Sequence, residues 1–185
     1  MNTPIFVISG PSGSGKDSVI APYKNNPAFS ILVTCTTRPI REGEIADRDY
    51  HFLSDDEFEK EIQNDHFLEW EPVFNDKYGS RKNDLENLLK LGRPVIAKLD
   101  VKGAMNIKKR YPDAATVFIM PPDIKDAEKR LEKRSTESEE AICVRKSRYR
   151  LELGYKDKFD FVIINDDLKK AQEEFASIIQ RFINI

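Results

Sequence analysis

Cysteine is scarce in this chain: Cys35 and Cys143 are the only two, far apart and in no C-x-x-C or Cys/His cluster. Two reduced thiols are expected, and structural zinc is not. Histidine is equally sparse. His51 and His66 have no second His, Cys or carboxylate at metal-ligand spacing, so both read as structural. No apolar run approaches the roughly 20 residues that span a bilayer, and the N-terminus lacks a basic region followed by an apolar stretch and a cleavage site. A cytoplasmic protein with no membrane partner is therefore expected. Charge of one sign is also missing, since thirty basic against thirty-two acidic residues leave a formal net charge of −2. No global field draws the chain to nucleic acid, so any anion site must be local. There is no internal repeat, low-complexity tract or Pro/Gly-rich linker.

What is present is enough for one globular unit: 185 residues, 39% hydrophobic and 34% charged. Short apolar runs at Ile5–Ile8, Ile31–Val33, Val95–Ala97, Thr116–Ile119 and Phe161–Ile164 are β-branched and bounded by turn formers, which predicts buried strands. Helical patterns fall between them. Ser54 and Glu57 make a capping box, residues 84–91 end at Gly92 with Pro94 beyond, and Leu168–Ile183 carries apolar positions at helical spacing. Asp123 is placed to cap a helix bearing Ala127 and Leu131, and a Glu-rich helix is expected after Thr136. Strands alternating with helices predict an α/β fold with a mostly parallel sheet covered on both faces. From Thr34 to Ser80 the rhythm breaks. That stretch is polar and aromatic and predicts small antiparallel strands around one helix, inserted as a lobe. The stretch from Arg130 to Arg150 lacks strand signals and is rich in arginine.

The chemistry begins at Gly10-Pro11-Ser12-Gly13-Ser14-Gly15-Lys16, directly after a strand and at the opening of a helix. In that context a glycine-rich loop aims backbone N–H groups at phosphates while the lysine reaches the β and γ positions of ATP. Asp17 follows where Ser or Thr usually contacts Mg²⁺, and Ser18 comes one place later. Either Asp17 bonds the metal or its waters, or Ser18 supplies the missing hydroxyl. In the inserted stretch, Arg38, Arg41, Tyr50 and Tyr78 combine guanidinium forks with phenolic donors and suit a phosphate monoester. Glu69 offers a carboxylate that could accept two donors, as guanine presents with N1–H and its 2-amino group. Its neighbour Trp70 reads as a core aromatic.

These residues fall in motifs that resemble the guanylate kinase family across nearly the whole chain. The GMP-binding region is matched by Thr36-Thr37-Arg38, Arg41, Gly43-Glu44, Asp49-Tyr50-His51-Phe52, Phe67-Leu68-Glu69-Trp70 and Tyr78-Gly79-Ser80. Asp100-Val101-Lys102-Gly103-Ala104, Arg134 with Thr136-Glu137-Ser138, Arg145 and Asn165-Asp166-Asp167 follow in the family's order. The resemblance implies transfer of the γ-phosphoryl group of ATP to GMP in purine nucleotide metabolism, with Mg²⁺. It implies a P-loop NTPase-type parallel sheet (residues 1–33, 81–125 and 151–185), a mixed α/β GMP-binding lobe (34–80) and a helical lid (about 126–150). Arg38, Arg41, Tyr50 and Tyr78 would hold the GMP phosphate, and Thr34, Glu69, Ser80 and Asp100 would recognise guanine or hold that recognition in place. Gly10 to Ser18 would serve ATP, with Gly13, Gly15 and Lys16 on its phosphates and Asn165 near adenine. Lys16, Arg38 and the lid residues Arg134 and Arg145 would act in the transfer, with Arg130 and Arg148 as further candidates. ATP and GMP are the expected partners. A monomer is the default, with a homo-oligomer as the alternative.

Other departures from the family pattern are visible. Lys98 stands two residues before Asp100, where Asp or Glu is usual, and could pair with Asp100 or reach a phosphate. Asp47 replaces a usual glycine and Lys77 an aromatic. Three other readings compete. A non-catalytic guanylate-kinase-like module typically has a degraded phosphate loop, which is intact here. A GTPase finds only the D-x-x-G match Asp100–Gly103 and no N-K-x-D. A P-loop kinase for another phosphorylated acceptor would differ at Glu69.

Overall fold

The computed structural model describes residues 3–73, 75–123 and 149–183. Its centre is a five-stranded sheet made of β1 (Ile5–Ser9), β2 (Ser30–Leu32), β7 (Val95–Lys98), β8 (Ala115–Met120) and β9 (Phe161–Ile164). The strands run in the order β2-β7-β1-β8-β9, and every pairing is parallel. These are the five apolar runs of the sequence. Period-two alternation sends their side chains to both faces. On β1, Ile5 and Val7 join one buried cluster with Phe118 and Ile107, while Phe6 and Ile8 join the other with Phe175 and Val19. Burying each such side chain stabilises the fold by about 1.5–3 kcal/mol.

Helices cover both faces. α1 (Lys16–Lys24) follows β1, and its Pro22 has no N–H to give the carbonyl of Ser18. Gln172 of the closing helix α5 (Leu168–Ile183) takes that role, donating from Nε2 to Ser18 O at 2.8 Å. α3 (Lys82–Lys90) begins two residues before the predicted helix. α4 (Val101–Arg110) lies where the sequence reading delimits no helix, capped at its N-terminus by Asp100, whose Oδ1 accepts from Gly103 N at 2.7 Å.

The inserted stretch forms a four-stranded sheet, β4 (His51–Phe52), β3 (Cys35–Thr36), β6 (Asp76–Arg81) and β5 (Phe67–Val73), with α2 (Asp55–Gln63) against it. Both halves of the Ser54–Glu57 capping box are present. Two expectations are corrected here. The lobe's strands are not all antiparallel, because β3 pairs with β4 in parallel; the long excursion from Thr37 to Tyr50 returns the chain in the same direction. Trp70 is not a core residue but 40% exposed, because Glu69 takes the inward side of β5 and its neighbour must point out. The helices expected after Asp123 and Thr136, and Cys143, lie outside the described residues, whereas Cys35 is buried and its thiol is pushed up to about 12 by desolvation.

Candidate active site

Parallel strands place functional groups at their carboxyl ends, where loops leave the sheet. Gly10 leaves β1, Lys98 ends β7 and Asp100 follows it, Asn165 leaves β9, and Thr34 leaves β2. These residues thus lie at the carboxyl ends of the central strands, while the remaining acceptor residues lie on the lobe.

At β1 the chain turns through the glycine loop into α1. Gly15 caps α1 in a left-handed conformation, φ 88°, and a Cβ there would sit 2.2 Å from Nδ2 of Asn165. Only glycine satisfies both conditions. Asn165 is buried, and its Nδ2 donates to Ser14 O at 2.8 Å. The residue expected beside adenine therefore braces the loop. Lys16 Nζ donates to the carbonyls of Gly10 at 2.6 Å and Pro11 at 2.9 Å, so it folds across the mouth of the loop. No side chain caps the N-terminus of α1, and its N–H groups and positive dipole end are presented to an anion.

Asp17 lies in the first turn of α1. Its Oδ1 accepts from Lys98 Nζ at 2.8 Å and from Lys24 Nζ at 3.2 Å. Desolvation works to raise the Asp17 pKa, but the two ammonium groups, Lys98 foremost, outweigh it and hold the carboxyl at about 2. Lys98 pairs with this carboxylate and not with Asp100. The Asp100 side chain is turned to the head of α4, where its Oδ1 is held by Gly103 N.

On the lobe, Arg38 is buried and forms a fork with Glu44, Nη1 to Oε2 and Nη2 to Oε1, both at 2.8 Å. Nη1 also donates to Pro39 O at 2.7 Å, and Nε has no partner among the described residues. Burial works to lower the Arg38 pKa, but bonds to Glu44 and Tyr78 carry it higher than usual. Its guanidinium lies 5.2 Å from the Tyr50 ring centroid, and the Tyr50 and Tyr78 rings meet edge to face at 6.0 Å. Arg38, Tyr50 and Tyr78 therefore form one cluster. Arg41 sits beside it with an exposed side chain, anchored through its backbone N–H to Glu44 Oε2 at 2.8 Å. Glu44 is the residue that sequence reasoning left without a role. The signal was its position after Gly43, six residues beyond Arg38.

Glu69 lies on the inward side of β5. It is 9% exposed, and Ser80 Oγ donates to its Oε1 at 2.5 Å. Burial raises its pKa, the Ser80 bond opposes that, and nearby Asp100 adds to it, leaving the carboxyl at about 7. Among the described residues no cation pairs with it. Gly103 lies beneath, where a Cβ would meet Glu69 Oε2 at 2.6 Å and Asp100 Oδ1 at 3.2 Å. This glycine, quoted only as part of a motif, is what lets both carboxylates approach one point. Thr34 is buried, with its carbonyl accepting from His51 N at 2.9 Å.

The milder departures are accommodated. Asp47 holds the left-handed conformation, φ 62°, that a glycine would otherwise serve, and its Oδ1 bonds His51 Nδ1 at 2.8 Å. Lys77 pairs with Asp55 at 3.1 Å and Glu59 at 2.7 Å. Arg130, Arg134, Arg145 and Arg148, and with them the expected lid, lie outside the described residues.

Comparison with known proteins bears on the whole arrangement. The family model described as guanylate kinase matches residues 2–182. The guanylate kinase of Chlorobium luteolum is 42% identical over 182 residues, 97% of this chain and 92% of that protein. The guanylate kinase of Francisella tularensis is 37% identical over 190 residues, covering 99% of both chains. In solved structures, guanylate kinase from Anaplasma phagocytophilum superposes with a TM-score of 0.79 at 24% identity, over 97% of this chain and 86% of that one, which shows the shared fold. Matches that run from end to end at these identities assign the chain to the guanylate kinase family, the kinases that phosphorylate GMP from ATP.

Proposed function

We propose that the glycine loop holds the ATP phosphates and the lobe holds GMP, so that a GMP phosphate oxygen attacks the γ-phosphorus and ADP leaves. The buried carboxylate of Glu69 carries this reading: it is desolvated, held by Ser80 and without a cationic partner among the described residues. Two adjacent donors on one planar base edge, the N1–H and 2-amino groups of guanine, would satisfy it. Ser80 keeps that carboxylate in place, and Asp100 and Thr34 serve the same recognition of guanine.

Arg38, Arg41, Tyr50 and Tyr78 grip the acceptor phosphate. Arg38 is released to it from Glu44, or shares it. On the donor side Gly13, Gly15 and the neighbouring backbone N–H groups cradle the phosphates, Lys16 leaves the loop carbonyls for them, and Asn165 keeps the loop in shape. No side chain acts as nucleophile, so the protein contributes alignment and positive charge. Arg134 and Arg145 would add charge to the transferred group from the lid.

The family's use of ATP brings a divalent metal, and Mg²⁺ fits the oxygen donors at the head of α1. Both ammonium groups bind the same oxygen of Asp17, and Oδ2 accepts no hydrogen bond among the described residues. Ser18 is exposed beside it. Among the described residues no cluster of three or more His, Cys, Asp or Glu could hold the ion, so its remaining ligands would be phosphate oxygens and water. When bound, Mg²⁺ neutralises triphosphate charge.

The test is ADP formation from ATP and Mg²⁺ with GMP, AMP, CMP, UMP and IMP offered separately. Strong dependence on GMP is expected, and Glu69→Gln should weaken GMP selectively. Equal loss with every acceptor would sink the assignment of guanine recognition to Glu69.

A further inference from the structure

Two departures from the family pattern, 81 residues apart in the chain, meet in the fold. Lys98 Nζ, at the end of β7, donates to Asp17 Oδ1 in the first turn of α1 at 2.8 Å. The same ammonium lies 5.0 Å from the centroid of the Tyr50 ring on the lobe. It therefore stands where the phosphate loop, the central sheet and the acceptor cluster come together. Taken singly, a carboxylate at Asp17 would repel a bound triphosphate. As a pair the two side chains are neutral.

Neutralising Asp17 does not by itself explain the placement of Lys98, because Lys24 already reaches the same oxygen at 3.2 Å. The Lys98 side chain is 19% exposed, against 35% for Lys24. It has given up more of its hydration than a surface partner requires and lies against a ring of the acceptor cluster. That position suits a second anion arriving from the lobe.

We propose that Lys98 is a ligand of the acceptor phosphate: in the empty site Asp17 holds its ammonium, and on GMP binding the ammonium turns to the phosphate that Arg38, Tyr50 and Tyr78 grip. The proposal rests on the placement of GMP given above. A phosphate monoester carries about −1.5 to −2 charges near neutral pH, so it outcompetes a single carboxylate, and Asp17 keeps Lys24 as counter-ion. Lysine suits the exchange because its charge is compact and its stem flexible. Asp17 is thereby a competitor of GMP for one cation, which gives the two residues opposite effects on the same equilibrium.

The measurement is the dissociation constant of GMP by calorimetry, without ATP or metal, for the wild type, Lys98→Met, Lys98→Arg, Asp17→Asn and the double variant Asp17→Asn/Lys98→Met. Lys98→Met is expected to weaken GMP about tenfold or more, Lys98→Arg to recover most of that, and Asp17→Asn to tighten GMP. Because Asp17 acts through Lys98, the double variant should bind GMP as Lys98→Met does, so that losing Lys98 costs more in the Asp17→Asn background than in the wild type. Guanosine, used as a competitor, should not distinguish the variants. Overturning results are a Lys98→Met affinity equal to the wild type, a double variant equal to Asp17→Asn, or parallel weakening of GMP and guanosine by both single changes with equal loss of thermal midpoint. The last would mark a pair that only ties the lobe to the sheet. Wild-type protein that fails to bind GMP would overturn the acceptor-site reading as well as this one.

Discussion

The central sheet and the acceptor lobe are stabilised by different means. The sheet is packed on both faces by wholly apolar side chains such as Phe6, Ile8, Ile96, Phe118 and Ile119, all fully buried. The lobe has a core of Cys35, Phe58 and Phe67, and closes its surface with ion pairs: Lys77 with Asp55 and Glu59, Arg81 with Glu61, and Arg38 with Glu44. Packed apolar contacts hold one geometry, because moving a side chain opens a void. Exposed ion pairs exchange partners at little cost, since water and other charges replace each contact. The strand ends that anchor the phosphate loop are thus fixed by the first kind of interaction. The groups proposed to receive GMP are held by ion pairs and not by packing; Arg38 and Lys98 are largely buried, so each leaves Glu44 or Asp17 only as the incoming phosphate takes the partner's place.

The largest test of this contrast is in the sheet. Phe118→Ala removes a fully buried ring packed edge to face on Phe159 at 5.1 Å. It should cost about 3–5 kcal/mol of global stability, read from urea unfolding. A loss below 1 kcal/mol would mean that the sheet adapts as the lobe is argued to do.

An intermediate effect is expected at Glu69. Its folded pKa of about 7 lies above the ordinary carboxylate value, so the folded protein binds more protons than the unfolded chain between the two values. The contribution of this group to the stability of the nucleotide-free protein is therefore present at low pH and lost as pH rises through about 7. GMP binding has the opposite dependence. Guanine requires the carboxylate, so affinity should fall as pH drops below about 7, by up to about tenfold per unit. Glu69→Gln should remove that part of the dependence and leave the titration of the GMP phosphate itself, which calorimetry across pH 5 to 8 would separate. An unchanged profile in Glu69→Gln would place the titrating group elsewhere.

The smallest effect is expected at Lys77→Ala on the lobe surface, where the partners Asp55 and Glu59 are themselves well exposed, 72% and 48%. A cost of about 1 kcal/mol or less is expected. A larger cost would show that the lobe depends on this pair as the sheet depends on its core.

Much of this could be read before the fold was seen. The five strands were legible because each is a short apolar run rich in β-branched residues, although β9 lies at the sheet edge and leaves Val162 and Ile164 exposed, and α2 because the Ser54–Glu57 box is a local signal. α4 was less legible, since its cap is a lone Asp100 and its first turn carries Val101 and Gly103. Trp70 was misread because a strand's facing is settled by its partner strand and its core, and here Glu69 faces in. The parallel β3–β4 pairing depends on the return path of a fourteen-residue excursion, and no local pattern states it.

Sequence by itself determined the phosphate loop, the strand and helix alternation, and the motifs that mark the family, because each is a local arrangement of residue types with a local physical meaning. Which charges meet was decided only in three dimensions. Lys98 finds Asp17 instead of Asp100, Arg38 is forked by Glu44, Asn165 braces Gly15, and Gly103 leaves room for two carboxylates. Such pairs depend on strand order and on the ends of strands far apart in the chain. Electrostatic and steric contact follows distance in space, and the sheet sets that distance.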